Sequence, residues 1–239
     1  MPTKSSSYSK LLFDTARNLG ADLIEVADTS RLDGIETDPS DLMQTYPRAI
    51  SLAVRLSNGV MDPISDRPTP LYARHYQNVN NLLDYIATRI SGLLHSWGVK
   101  ALPIPASHIL CEDRFVSALS HKAVAIQAGL GWQGKSLLLI TPEFGPRVRL
   151  VTVLTNLILP VGVPIKNRCA ACTQCVEACP ASAIKNVSTD VHYSTRREAL
   201  DLDACVEQLR KNEQDKHIPP YICGVCVSVC PWGKTDTNS

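Results

Sequence analysis

Cysteine spacing constrains this chain more than any other feature. The stretch Cys169-Ala-Ala-Cys172-Thr-Gln-Cys175-Val-Glu-Ala-Cys179-Pro180 places three cysteines at intervals of three and a fourth, four residues on, before proline. A second set reads Cys205, then Cys223-Gly-Val-Cys226-Val-Ser-Val-Cys230-Pro231. Three thiolates on one tight loop can each reach a different iron of a [4Fe–4S] cubane, while the fourth cysteine opens a segment leading toward a neighbouring cluster. The ligands are therefore expected to cross over. Cys169, Cys172, Cys175 and Cys230 would hold one cluster, and Cys179, Cys205, Cys223 and Cys226 the other. The long interval between Cys205 and Cys223 departs from a simple duplicated motif, so spacing supports Cys205 least. Two zinc sites are the alternative use for so many thiols, but zinc does not require two Cys-Pro ends at this spacing. Cys111 lies outside the pattern and reads as a small buried thiol.

Eight of the nine cysteines follow residue 168, which gives this end of the chain its own purpose. With 239 residues and 44% hydrophobic content, the chain can build one sizeable core and a small appended module. Pro160, Gly162 and Pro164 punctuate it just before the cysteines. The expected division is therefore an α+β domain over 1–162 and a bacterial-ferredoxin-like two-cluster domain over 163–239. Within the first, helical spacing is found over 8–19, ahead of Gly20, and over 71–97, ahead of Gly98. A further helix is expected from about 116 to 128, ended by Gly129. Apolar runs at 22–26, 48–56, 99–104, 136–141 and 148–158 read as strands, with a turn over 142–147. Helices and strands mix without strict βαβ alternation, which favours a layered α+β domain over a doubly wound sheet.

Charge and targeting signals narrow the function. Lys and Arg total 24 against 23 Asp and Glu, so there is no single-signed field to hold a nucleic acid or an anionic membrane. The polar N-terminus lacks an export region and no stretch reaches a membrane span, so a soluble, cytoplasmic protein in a reducing compartment is expected, where cysteines bind metal more readily than they pair. No Gly-x-Gly-x-x-Gly follows a strand and no Walker loop is present, so nucleotide chemistry is not indicated. The one glycine-dense loop, Gly129-Leu130-Gly131-Trp132-Gln133-Gly134-Lys135, could bring backbone N–H groups close to a phosphate or a planar cofactor, or be a plain helix-to-strand turn. Arg147 and Arg149 could bind a cofactor amide or phosphate, or form the solvated face of a strand. Lys166 and Arg168, just before the first cysteine, could dock an acidic electron donor.

The block Ala128-Gly-Leu-Gly-Trp-Gln-Gly-Lys135, the run Leu137-Leu-Leu-Ile-Thr-Pro142, the stretch Tyr72-Ala-Arg74-His-Tyr76 and the closing Cys230-Pro-Trp232 together resemble the epoxyqueuosine reductase family, which is related to reductive dehalogenases. The resemblance covers most of 10–232. It implies a nitroreductase-like α+β domain holding a base-off cobalamin, with one cluster near the corrin and the other near the surface, the clusters reducing the cobalt. Gly129, Leu130, Gly131, Trp132, Gly134, Lys135 and Arg147 would line the cofactor. The family's proton-donating Asp has no ungapped counterpart, since Phe115 stands at its place. Asp113, Tyr76 and Tyr72 are the candidates for that role. The nitroreductase analogy also brings in flavin as a less favoured cofactor and a homodimer as an arrangement the fold could adopt.

The sequence ends at Ser239, where tRNA-acting members of the family continue into a helical repeat region. With near-neutral charge, this argues for a short form acting on a small molecule rather than tRNA. The resulting reading is a cobalamin-dependent iron–sulfur reductase that draws electrons from a low-potential donor such as a ferredoxin or flavodoxin. Two other readings are an electron-transfer protein that reduces a partner's corrinoid or other cofactor, and an epoxyqueuosine reductase acting on tRNA.

Overall fold

The computed structural model describes residues 4–110, 117–190 and 195–234. In chain order the elements are α1 (Lys4–Asn18), β1 (Leu23–Asp28), β2 (Arg48–Arg55), α2 (Asn58–Met61), α3 (Pro70–Ser96), β3 (Ala101–Ile104), α4 (His121–Ala128), β4 (Trp132–Gln133), β5 (Leu139–Ile140), β6 (Val148–Thr155), α5 (Gln174–Glu177), α6 (Leu202–Asn212) and α7 (Val225–Ser228), with short 3-10 turns at Thr29–Leu32 and Arg196–Glu198. Among the described residues, no helix is long and apolar enough to cross a membrane.

The chain packs as two compact units that interleave along the sequence. The first comprises Met1–Val54, Val79–Leu130 and Arg149–Ile165; the second comprises Arg55–Asn78, Gly131–Val148 and Lys166–Ser239. The cysteine segment enters the second unit at Lys166. It is joined by two earlier segments, 55–78 and 131–148: Lys135 and Arg147 donate to Cys172 O and Ser228 O, and Ile64 O accepts from the Ser228 hydroxyl.

The first unit is built on a four-stranded sheet in the order β1-β2-β6-β3. β1 and β2 are antiparallel with Leu23 opposite Ala53, and β3 and β6 are antiparallel with Ala101 opposite Thr155. Six consecutive buried residues in β2, Ala49 to Val54, show a strand covered on both faces, which explains its unbroken apolar run. α4 packs on β1, and its Ala123, Val124 and Ala128 join Ala27, Ala49, Ile104 and Leu154 in one buried cluster. Leu83, Ile86, Ile90 and Leu94 form the buried stripe of α3.

Caps set the ends of these helices. The Ser120 hydroxyl accepts from Ala123 N at 3.3 Å at the start of α4, and Gly129 closes the helix in the left-handed region at φ 86°. A Cβ at Gly129 would lie 2.3 Å from the carbonyl oxygen of Val163, so the glycine also permits close backbone packing within the unit. His121 sits on the first turn of α4. Its Nε2–H donates to the Pro105 carbonyl at 2.9 Å; because that carbonyl only accepts, Nδ1 must accept from the Thr152 hydroxyl at 2.8 Å. Burial pulls its pKa down to about 4, so the ring is neutral and bridges β6 to the chain after β3.

In the second unit, β4 and β5 form a short antiparallel hairpin with Trp132 opposite Ile140. Beyond β5 the expected turn closes through reciprocal backbone bonds between Thr141 and Gly145, both 2.9 Å. This hairpin segment is a platform for the cysteine module. A Cβ at Gly145 would lie 2.0 Å from Trp232 O, and one at Gly233 would lie 2.1 Å from Phe144 O. Backbone therefore meets backbone beside the last Cys-Pro, where no side chain fits.

Candidate metal centre

None of the eight cysteines of the two motifs is in a disulfide, and each is of intermediate exposure. Three turns hold them. In the first motif Cys172 N donates to Cys169 O at 2.9 Å, Ala170 takes a positive φ of 43°, and the one-turn helix α5 carries Cys175. In the second motif Gly224 takes φ 84° ahead of α7, which carries Cys226. The interval between Cys205 and Cys223, read from the sequence only as an insertion, is filled by α6 and its return. The Asp201 carboxylate caps α6 by accepting from Ala204 N at 3.1 Å, placing Cys205 on the first turns of the helix. At the far end, Asn212 Nδ2 donates to Ile222 O at 3.0 Å and holds the chain where it re-enters at Cys223.

The electrostatic neighbours of the thiols show which cysteines lie together. Burial, and then Cys169, Cys175 and Cys172, push the Cys230 thiol up to about 12. Burial, and then Cys223, Cys205, Cys175 and Cys179, push Cys226 upward. Cys223 is raised by burial and by Cys179, and Cys175 by burial, Cys169 and Cys172. Cys230 of the second motif thus feels the three thiols of the first loop, Cys179 of the first motif acts on Cys223 and Cys226, and Cys175 acts on both Cys226 and Cys230. Buried thiols crowded in this way lose their protons when a soft metal takes their place, so metal binding and proton release are coupled here.

The first loop is tied to the hairpin segment. Asn167 Nδ2 donates to Gln133 O and to Thr189 O, both at 2.8 Å, while its Oδ1 accepts from Cys169 N at 2.8 Å. Lys135 is 6% exposed, and its ammonium donates to Cys172 O and to Asn186 Oδ1, both at 2.9 Å. Trp132 stacks edge-on with Trp232 at 4.9 Å between centroids, with the Arg168 guanidinium 5.6 Å from its ring.

The glycines of the Gly129–Lys135 loop serve the chain's own packing. A Cβ at Gly131 would lie 2.1 Å from Ile140 O, and one at Gly134 would lie 2.8 Å from the Ile140 side chain. Gly131→Ala should therefore destabilise the protein by about 2 kcal/mol or more without any corrinoid added, because the obstructing atom is backbone. Gly92→Ala, in α3 with nothing within 4 Å of the added Cβ, should instead gain about 0.5–1 kcal/mol. Thermal unfolding of the two variants checks the pair; an unchanged Tm for Gly131→Ala would contradict the packing.

Arg147, expected at a cofactor, is fully buried. Its guanidinium donates to Asn58 Oδ1 at 2.8 Å, Asp62 Oδ1 at 2.7 Å and Ser228 O at 3.0 Å, so its bonding goes to α2 and to α7 beside Cys230. Arg149 donates to Asn80 Oδ1 at 3.0 Å. Two donors in the glycine loop, Trp132 Nε1 and Gln133 Nε2, are buried without a protein acceptor. Leu130 is buried within the first unit.

Tyr72 is buried, with its ring against the second cysteine loop: a Cβ at Gly224 would lie 2.6 Å from Tyr72 Cε1. Tyr76 is half-buried and lies edge-on to Tyr72 at 6.1 Å. His75 Nε2 accepts from Ser57 N at 3.1 Å, and burial lowers its pKa, keeping it a neutral acceptor. Asp113 and Cys111 lie outside the described residues.

Residues 168–233 match a known family, the 4Fe-4S double cluster binding domain. Epoxyqueuosine reductase of Listeria monocytogenes is 36% identical over 122 residues, covering 48% of this chain and 30% of that protein. Tetrachloroethene reductive dehalogenase of Desulfitobacterium hafniense is 33% identical over 129 residues, covering 48% of this chain and 22% of its own. A reductive dehalogenase structure described in terms of B12-dependent dehalogenation superposes with a TM-score of 0.79 at 19% identity, covering 99% of this chain and 33% of that one. The match thus spans between about a fifth and a third of the length of these relatives; the chain shares the fold of the superposed structure and carries the double cluster domain.

Proposed function

We propose that this chain is an iron–sulfur reductase of the cobalamin-dependent kind, drawing single electrons from a low-potential donor, a ferredoxin or flavodoxin, through two [4Fe–4S] clusters. What supports the reading is that Cys230 of the second motif is raised by Cys169, Cys175 and Cys172 of the first, and Cys226 by Cys223, Cys205, Cys175 and Cys179; we assign Cys169, Cys172, Cys175 and Cys230 to one cluster and Cys179, Cys205, Cys223 and Cys226 to the other. Crossing brings two cubanes close together, as electron transfer between them needs.

A cobalamin, when bound, supplies a low-potential metal able to reduce substrates that the clusters cannot reduce directly. The residues proposed to hold it are those of the Gly131–Gly134 stretch of the second unit. The fit rests on Trp132 Nε1 and Gln133 Nε2, two buried donors that the protein leaves unpaired and that an amide-rich, phosphate-bearing ligand could satisfy. Tyr72, buried on the second cysteine loop, and Tyr76 beside it are the described candidates for holding a proton. A small-molecule substrate is favoured over tRNA by the net charge of +1, which offers no field for a phosphate backbone.

A second reading is supported by the glycine loop and Arg147. Glycines turned against the chain's own backbone and an arginine committed to protein groups suit an electron carrier that reduces a partner's corrinoid. Titration of the anaerobically reconstituted protein with hydroxocobalamin separates the two. Stoichiometric binding with a base-off Co(II) EPR signal is expected of the reductase; clusters present with no corrinoid bound would leave the carrier.

A further inference from the structure

Lys135 is the buried cation closest to the first cysteine loop, and its surroundings do not explain its charge. Both of its acceptors, Cys172 O and Asn186 Oδ1 at 2.9 Å, are neutral, and no carboxylate pairs with it among the described residues. At 6% exposure the ammonium has lost most of its hydration, and two neutral acceptors do not replace it. Buried charges are paired, so an anion is expected beside this one. The carbonyl it grips is that of Cys172, in the centre of the Cys169–Cys175 loop. A cubane held by four thiolates is itself an anion, and each electron it accepts adds a negative charge.

We infer that Lys135 is the counter-ion and positioning residue of the cluster held by Cys169, Cys172, Cys175 and Cys230, setting the reduction potential of that cluster above that of its neighbour. The inference rests on the two-cluster reading of the cysteines. The fixed charge attracts the reduced cluster more strongly than the oxidised one in a site of low dielectric, so uptake of one electron from a donor becomes easier. The hydrogen bond to Cys172 O fixes the loop, and Asn186, held at a positive φ of 60°, fixes the ammonium.

Two variants remove the net charge by different routes. Lys135→Gln keeps a donor for Cys172 O and loses the cation; Asn186→Asp keeps the cation and sets a carboxylate against it. The measurement is an EPR-monitored redox titration of the anaerobically purified full chain with dithionite and mediators, after iron analysis. Each variant is expected to retain about eight irons per chain. Each is also expected to lower the reduced-to-oxidised ratio of one cluster about tenfold at a fixed potential, equal to about 59 mV for one electron. The other cluster should stay within about twofold of its original ratio, and Lys135→Arg should stay near wild type. A fully loaded Lys135→Gln or Asn186→Asp protein with both potentials unmoved would overturn the inference. A wild-type protein without iron–sulfur signals would instead remove the cluster reading on which it rests.

Discussion

Cys230→Ser should abolish the same cluster as Cys172→Ser, cutting the iron from about eight to about four per chain, although the two residues belong to different motifs. Cys179→Ser should remove the other cluster, the one that Cys226→Ser removes. The reason is spatial: the thiols that act on Cys230 are Cys169, Cys175 and Cys172, all of the first motif, whereas those that act on Cys226 are Cys223, Cys205, Cys175 and Cys179. A serine hydroxyl is a far poorer ligand for iron than a thiolate, and one missing corner leaves a cubane open to loss. If each motif held its own cluster, Cys230→Ser and Cys226→Ser would remove the same one. EPR of the four reduced variants distinguishes the pairings, because the surviving cluster in Cys230→Ser should give the signal seen in Cys172→Ser.

Arg147→Met should lose about 3 kcal/mol of stability, a fall in Tm of roughly 6–12 °C for a chain of this size. The guanidinium satisfies Asn58, Asp62 and the buried carbonyl of Ser228, and methionine offers none of these donors. Ser228 is 4% exposed, so its carbonyl would be left in the interior with that bond unmade. Asp62 is 59% exposed on its side chain and can return to water, which keeps the loss below that of a fully buried ion pair. Because Ser228 stands two residues before Cys230, iron should also be lost faster on chelation in this variant. A Tm within about 2 °C of wild type would contradict the clamp.

Local rules made much of the fold legible. Helical spacing over 71–97 marked α3 to within a residue at each end, since a long apolar stripe ending in Gly98 at φ 76° leaves little choice. The apolar runs at 22–26 and 48–56 are β1 and β2, paired as neighbours in antiparallel register. The run over 136–141 shrank to the two residues of β5, because Leu137 takes a positive φ of 61° that no strand tolerates. α6 has no counterpart among the sequence-based expectations: it lies in the polar interval between cysteines, where the Asp201 cap is a local start signal.

The candidate site divides in the same way. Cysteine spacing carries its own geometry, so the two-cluster segment, which matches the double cluster domain over 168–233, is legible in the sequence. Arg147 and Lys135 could not be placed, because their partners are 81 and 37 residues away in sequence and include main-chain carbonyls that any residue would supply. Both looked like cofactor ligands in a glycine-rich setting. In the folded chain both point into the cysteine module, one to the carbonyl before its last Cys-Pro and one to its first loop.

Iron, acid-labile sulfide and zinc analysis of the anaerobically purified wild-type protein, with EPR before and after dithionite reduction, tests the central claim most directly. Two [4Fe–4S] clusters predict about eight irons and about eight sulfides per chain, and a reduced spectrum broadened by two neighbouring spins. About two zincs per chain with no sulfide and no EPR signal would contradict it.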